Sequence, residues 1–230
     1  MAEPLEQADR RFYGRRKGHR LSPRRQRLLE TLLPGIRIDL SAPAPGQLAE
    51  LFGGAPEVWL EIGFGAGEHL AWQAAQYPSI GILGCEPFIN GVASLLCAIE
   101  ESQFANVRIH DGDARDLLEW LPSGGLSRIF VLFPDPWPKK RHWRRRLFSE
   151  ATTAQLARVL APGGELRAAT DIGGYARAIL LALQREPAFA WRARRAGDWR
   201  QRPPDWPQTR YEQKALREDR TPYFLSFERL

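Results

Sequence analysis

A single carboxylate stands between two prolines at Pro134-Asp135-Pro136, directly after an apolar run from Ile129 to Phe133 and directly before Trp137-Pro138-Lys139-Lys140-Arg141-His142. Each proline fixes its own φ and pushes the residue before it out of the helical region. Phe133 and Asp135 are therefore expected to be extended, and the acid to project from a stiff loop. Such an acid suits a planar, hydrogen-bonding ligand, with Trp137 beside it as a stacking surface. A rigid turn with an incidental acid would account for Pro-Asp-Pro alone, but the residues that follow argue for more. Six formal positive charges fall in the eight positions from Lys139 to Arg146, with Trp143 among them. That pattern matches what phosphates and exposed bases require. A solvated helix start is the poorer alternative, because unpaired positive charge is disfavoured at a helix N-terminus.

A second group of acids lies upstream. Glu61-Ile62-Gly63-Phe64-Gly65-Ala66-Gly67-Glu68 follows an apolar run and opens a helical pattern, the context in which a glycine loop carries meaning. On its own such a loop fits a dinucleotide or S-adenosylmethionine. Glu68 stands where the dinucleotide fingerprint needs a third glycine, and acids beside the loop suit a ligand with sulfonium and ammonium groups better than a pyrophosphate. Glu86 ends the next apolar run, placed to hold ribose hydroxyls, and Gly112-Asp113-Ala114 follows the third, with Asp113 positioned to accept from an adenine amino group. One strand-end acid is commonplace; acids after three successive strands beside a glycine loop point to one pocket.

The elements that must position these residues alternate. Strands are expected at 58–62, 80–85, 107–110, 129–133 and 166–170, with two more at 189–192 and 223–227. Helices are expected at 68–76, 90–101, 116–121 and 174–184, with another ending near Leu160 before Pro162-Gly163-Gly164. Strands alternating with helices make an α/β sheet with right-handed crossovers, whose ligands sit beyond the carboxyl ends of the strands. Residues 1–27 differ in kind: Arg10, Arg11, Arg15, Arg16, Lys17, Arg20, Arg24 and Arg25 sit among polar residues with little apolar periodicity, and read as a flexible basic arm. Residues 28–230 read as one domain.

Charge is strongly polarised along the chain. Residues 1–40 hold 10 Lys/Arg and 5 Asp/Glu, residues 41–135 hold 3 and 12, and residues 136–230 hold 20 and 10. An acidic pocket flanked by basic surfaces fits a small cationic ligand and a large polyanion. No apolar run is long enough to span a bilayer, and the start of the sequence lacks a signal-peptide core. Cys85 and Cys97 have neither C-x-x-C spacing nor clustered histidines, so no disulfide framework and no metal site is expected, and a cytoplasmic location follows.

With these residues in place, the chain resembles the bacterial tRNA (guanine-N7)-methyltransferases, a class I S-adenosylmethionine-dependent family with a Rossmann-like, mostly parallel seven-stranded sheet. The matching segments are EIGFGAGEHL at 61–70, GCEPFINGVASLL at 84–96, GDARDLL at 112–118, FPDPWPKKRHWRRR at 133–146, LAPGGELRAATD at 160–171 and TRYEQKAL at 209–216. The resemblance implies methyl transfer from S-adenosylmethionine to N7 of a guanine in the tRNA variable loop, position 46. It implies donor binding at Glu61, Gly63, Gly65, Gly67, Glu86, Asp113, Ala114 and Asp135, with Asp135 also catalytic. Substrate contacts are implied for Lys139, Asp171, Thr209, Arg210, Tyr211 and Glu212, and RNA contacts for Arg141, His142, Trp143, Arg144, Arg145 and Arg146. Neither a metal nor an obligate protein partner is expected, and the chain would act as a monomer or homodimer. Trp143 stands where the family more often has a small polar residue, and Phe224 where it often has an acid. The rival readings are a nicotinamide-dependent dehydrogenase, an RNA-binding protein without activity, and a methyltransferase acting on another base.

Overall fold

A computed structural model describes residues 13–230. Seven strands form one sheet: β1 (Val58–Ile62), β2 (Gly81–Cys85), β3 (Val107–His110), β4 (Leu126–Leu132), β5 (Leu160–Thr170), β6 (Phe189–Trp191) and β7 (Tyr223–Arg229). Their order is β3-β2-β1-β4-β5-β7-β6, parallel except for β7, which runs antiparallel to both β5 and β6. Order reverses between β1 and β4, and that switch point opens a crevice at the carboxyl edge.

Both faces of the sheet are covered, which is why β1 and β2 are buried throughout. On one face Val58, Leu60, Ile129 and Val131 pack with residues of α5 (Ala114–Trp120), α6 (Glu150–Val159) and α7 (Gly173–Arg185). On the other, Trp59, Phe130 and Leu132 meet α1 (Pro23–Thr31), α2 (Leu33–Ile36), α3 (Glu68–Gln76) and α4 (Ile89–Ser102). Two short helices, α8 (Gly197–Arg200) and α9 (Arg210–Arg217), precede β7. The two-residue period of β1 places Glu61 on the same face as Trp59, toward α3. No helix among the described residues is long and apolar enough to cross a membrane.

Three local expectations change. The strand before the proline loop ends at Leu132, and Phe133 takes φ +52°, left-handed rather than extended. Proline excludes the right-handed helical region from the preceding residue, but a left-handed turn is also compatible; the Phe133 N–H still closes the β4–β5 ladder by donating to the Ala169 carbonyl (2.7 Å). Strand β5 begins at Leu160, six residues before the expected start, and pairs there with Leu126 across a register shift. Of the basic arm, residues 1–12, with Arg10 and Arg11, lie outside the described residues; residues 13–27 are docked rather than free. Ser22 caps α1 by accepting from the Arg25 N–H, and Pro23 occupies the first turn, where its missing N–H costs nothing. Arg24 and Arg27 pair with Glu100, and Arg24 also with Glu101, on α4. Upstream, the Ile89 N–H donates to the Arg16 carbonyl and the Gly18 N–H to Asn90 Oδ1.

Candidate active site

Three acids converge where the central strands end. Glu61 is 3% exposed near the end of β1, Glu86 is buried just past β2, and Asp135 stands exposed past β4. Glu86 holds the glycine loop: its Oε2 accepts from the Gly65 N–H (2.7 Å) and its Oε1 from the Phe88 N–H (2.9 Å). Burial pushes the Glu86 carboxyl above the usual carboxylate range; the two main-chain bonds oppose this, and the nearby charges of Asp135 and Glu61 add to it. One electrostatic neighbourhood thus contains all three acids.

The loop itself depends on backbone that only glycine permits. Gly63, Gly65 and Gly67 all take positive φ. Gly91, on the first turn of α4, lies so close that a Cβ there would be 2.1 Å from the Gly65 carbonyl oxygen. The third strand-end acid behaves differently. Asp113 caps α5 by accepting from the Arg115 N–H, and its carboxylate also pairs with the Arg115 guanidinium (2.6 Å). Burial raises the Asp113 carboxyl, but the Arg115 bonds outweigh it and hold it below the usual range. Ala114 opens α5 beside it.

The 209–212 segment is an N-terminal helical turn rather than a loop. Thr209 Oγ1 accepts from the Glu212 N–H, capping α9. Glu212 is buried, which raises its carboxyl, while Arg202 beside it (3.2 Å) opposes the shift. This turn is latched to the glycine loop: Glu68, which the sequence places with the donor acids, accepts from the Arg210 N–H (3.0 Å). Tyr211 lies over Gly65, where a Cβ would sit 3.3 Å from the ring, and stacks on Phe133 at 6.3 Å between centroids. Together Glu61, His69, Phe133, Thr209 and Tyr211 line a cavity between α3 and α9. Asp171, past β5, accepts from Arg220 Nε (2.7 Å).

The basic tract divides. Lys140–Arg145 forms a 3-10 turn with Lys139 at its cap, so the tract does not sit at the start of α6, which Ser149 caps instead. Lys139, Arg141, Trp143 and Arg144 are exposed, Trp143 at 48%. Arg145 and Arg146 turn inward. Arg146 Nε donates to the Pro136 carbonyl (2.8 Å), and its guanidinium lies over the buried Tyr175 ring at 4.8 Å. Arg145 is sandwiched between Trp137 (5.0 Å) and Tyr13 (4.3 Å). Trp137, expected as an open stacking surface, is thus faced by Arg145 and, edge-on, by His142 (5.9 Å). The His142 imidazole is held below its ordinary value by desolvation and by Arg145, Arg141, Lys139 and Arg144 around it.

His69, Gln73, Arg202, Asp205 and Arg220 escape the sequence reading, although each contacts a candidate residue or its neighbour. His69 and Gln73 are a polar pair four apart on the first turns after the loop, a spacing that places both on one helix face. The capping pattern Thr209-x-x-Glu212 likewise announces α9.

Comparison with known proteins accords with this geometry. The family model Methyltransf_4, described as "Putative methyltransferase", matches residues 55–225. The solved 16S rRNA methyltransferase KamB superposes with a TM-score of 0.57 at 16% identity, over 82% of this chain and 95% of that one. The aminoglycoside resistance methyltransferase NpmB1 gives 0.56 at 14%, over 82% and 95%; both likenesses speak to the fold. A tRNA (guanine-N(7)-)-methyltransferase of Ruegeria pomeroyi is 52% identical over 227 residues, covering 96% of this chain and 95% of its own length. Its counterpart in Chelativorans sp. (strain BNC1) is 48% identical over 226 residues, covering 98% and 97%. The chain belongs to the tRNA (guanine-N(7)-)-methyltransferase family.

Proposed function

We propose that the chain methylates N7 of a variable-loop guanine of tRNA, at position 46, in the cytoplasm, with S-adenosylmethionine as donor. The observation that carries the reading is the convergence of Glu61, Glu86 and Asp135 at the switch point, beside a latched glycine loop and a partly exposed basic tract. The residues fit the donor. Glu86 accepts only main-chain N–H bonds and keeps lone pairs for ribose hydroxyls, while Glu61 faces the cavity and suits an ammonium group. Asp113 and Ala114 flank the adenine end, and the Arg115 pairing keeps Asp113 ionised and fixed.

When bound, S-adenosylmethionine supplies a methyl group made electrophilic by its sulfonium. Guanine N7 carries an in-plane lone pair at neutral pH, so no side chain has to remove a proton. The chain's task is alignment and exclusion of water, which can contribute roughly 7–11 kcal/mol. Asp135, fixed between prolines whose carbonyl at Pro136 is held by Arg146, would face the purine as positive charge moves onto it. Glu212 and Asp171 keep lone pairs beyond their arginine bonds and could accept from guanine N1–H and the exocyclic amine, selecting guanine over adenine. Lys139, Arg141, Trp143 and Arg144 are exposed and available to RNA, while Arg210 and Tyr211 line the cavity that Glu61 faces.

The test is single-enzyme methylation of unmodified tRNA with methyl-labelled donor, followed by chain cleavage specific for 7-methylguanine. Cleavage at one variable-loop guanine is expected. Label incorporated without such cleavage would move the target to another atom and overturn the reading.

A further inference from the structure

The imidazole of His69 is 2% exposed and belongs to no part of the function proposed above. Its Nδ1 lies 2.7 Å from Glu61 Oε2, and its Nε2 lies 3.1 Å from Gln73 Nε2. Phe130 and Trp206 meet the ring edge-on at 4.7 Å and 5.6 Å, so it cannot turn. Which nitrogen carries the proton follows from the far end of the chain of bonds. Gln73 Nε2 also reaches the main-chain carbonyl of Asp205 (3.3 Å). A carbonyl accepts only, so the amide must present its NH2 there, and the same NH2 donates to His69 Nε2. Nε2 is therefore an acceptor, and the proton resides on Nδ1, pointed at Glu61.

We infer that His69 is a positioning residue for the methyl donor: it holds the Glu61 carboxylate in its binding orientation through an Nδ1–H bond whose direction is set, through Gln73, by the Asp205 carbonyl. This rests on the assignment of Glu61 to the donor. The relay also joins the two halves of the site. Asp205 lies in the loop that leads to Thr209, and its carboxylate is pinned to the sheet by Arg167 (2.8 Å). The placement of the loop before the substrate segment is thus felt at an acid on the donor side. A buried carboxylate with a charge-assisted donor missing loses orientation as well as a bond.

The experiment is titration of S-adenosylhomocysteine into the wild-type protein, His69→Phe and His69→Asn, alongside thermal unfolding without ligand. Phenylalanine keeps the ring against Phe130 and Trp206 but removes the donor, while asparagine restores an N–H near the position of Nδ1. Binding about tenfold weaker in His69→Phe is expected, with most of it recovered in His69→Asn. A merely structural role would lower the melting temperature without that split. A wild type that fails to bind would overturn the donor assignment itself; a wild type that binds, with His69→Phe binding equally well, would overturn only the role of His69. If His69→Phe does not fold, imidazole nitrogen NMR of the wild type decides. A neutral ring protonated on Nδ1 is expected, and either an Nε2–H tautomer or an imidazolium would overturn the inference.

Discussion

The glycine loop after β1 and the proline loop after β4 leave adjacent strands at the same sheet edge, yet they are held by opposite means. The first is fixed from within: backbone that demands glycine, Gly91 pressed against the Gly65 carbonyl, and the Gly65 N–H bound to the buried Glu86. The second is fixed from outside, by prolines and by arginines that reach back from the basic tract to cap its carbonyls and cover its tryptophan. A pocket that takes the same small donor at every turnover can be built once and buried. A loop that receives a nucleotide from a polyanion is held by the kind of group that polyanion also attracts.

The contrast breaks most visibly at Asp135. Replacing it with alanine is expected to lower turnover by about 10²–10³-fold, the usual effect of losing one preorganised electrostatic group. Near-wild-type turnover with S-adenosylhomocysteine binding intact would refute its role. Gly91→Ala attacks the other loop: overpacking of about 1–3 kcal/mol should appear as donor affinity weakened roughly ten- to hundredfold, read by calorimetric titration. Within the basic tract, Arg144→Ala and Arg146→Ala should separate. Arg144→Ala is expected to raise KM for tRNA and to reduce the log–log salt slope by roughly 0.7–0.9, as a lost phosphate contact does. Arg146→Ala should lower kcat several-fold with the slope unaltered, because its guanidinium is engaged by Pro136 and Tyr175. Equal effects would erase the division.

The smallest effect concerns acidity. The Glu86 carboxyl lies above its ordinary value of 4.5, so the native state binds its proton more tightly than the unfolded chain does. Its contribution to stability is therefore present below that value and lost as pH rises through the folded pKa, while its capacity to accept from ribose hydroxyls grows over the same interval. Donor affinity should climb with pH there, and Glu86→Gln should flatten the climb in titrations across the mildly acidic range.

Much of the frame was legible because central parallel strands are buried on both faces and leave short apolar runs, as at 58–62, whose bounds match β1. The ends were less so. Pro162-Gly163-Gly164 reads as a break, yet β5 runs through it because Leu160 pairs with Leu126. Charge also misleads about direction: Arg145 and Arg146 look like their neighbours in sequence, and only the positions of Tyr13, Trp137 and Tyr175 turn them inward. Acids at strand ends were visible, whereas the arginine that answers Asp171 comes from distant chain, and the one that answers Glu212 from the loop before its helix. Phe224, noted as a departure from the family pattern, is buried against Trp206 at 5.5 Å and has become core.

Tyr211, lying over Gly65 and against Phe133, bears on the order in which products depart. It belongs to the turn proposed to grip the nucleotide, and it roofs the cavity that contains Glu61. While RNA holds that turn in place, Tyr211 stays over the end of the spent donor that lies beside Glu61. Release should therefore be sequential, methylated tRNA first and S-adenosylhomocysteine second. Product-inhibition kinetics would then show S-adenosylhomocysteine competing with the fresh donor and not with tRNA.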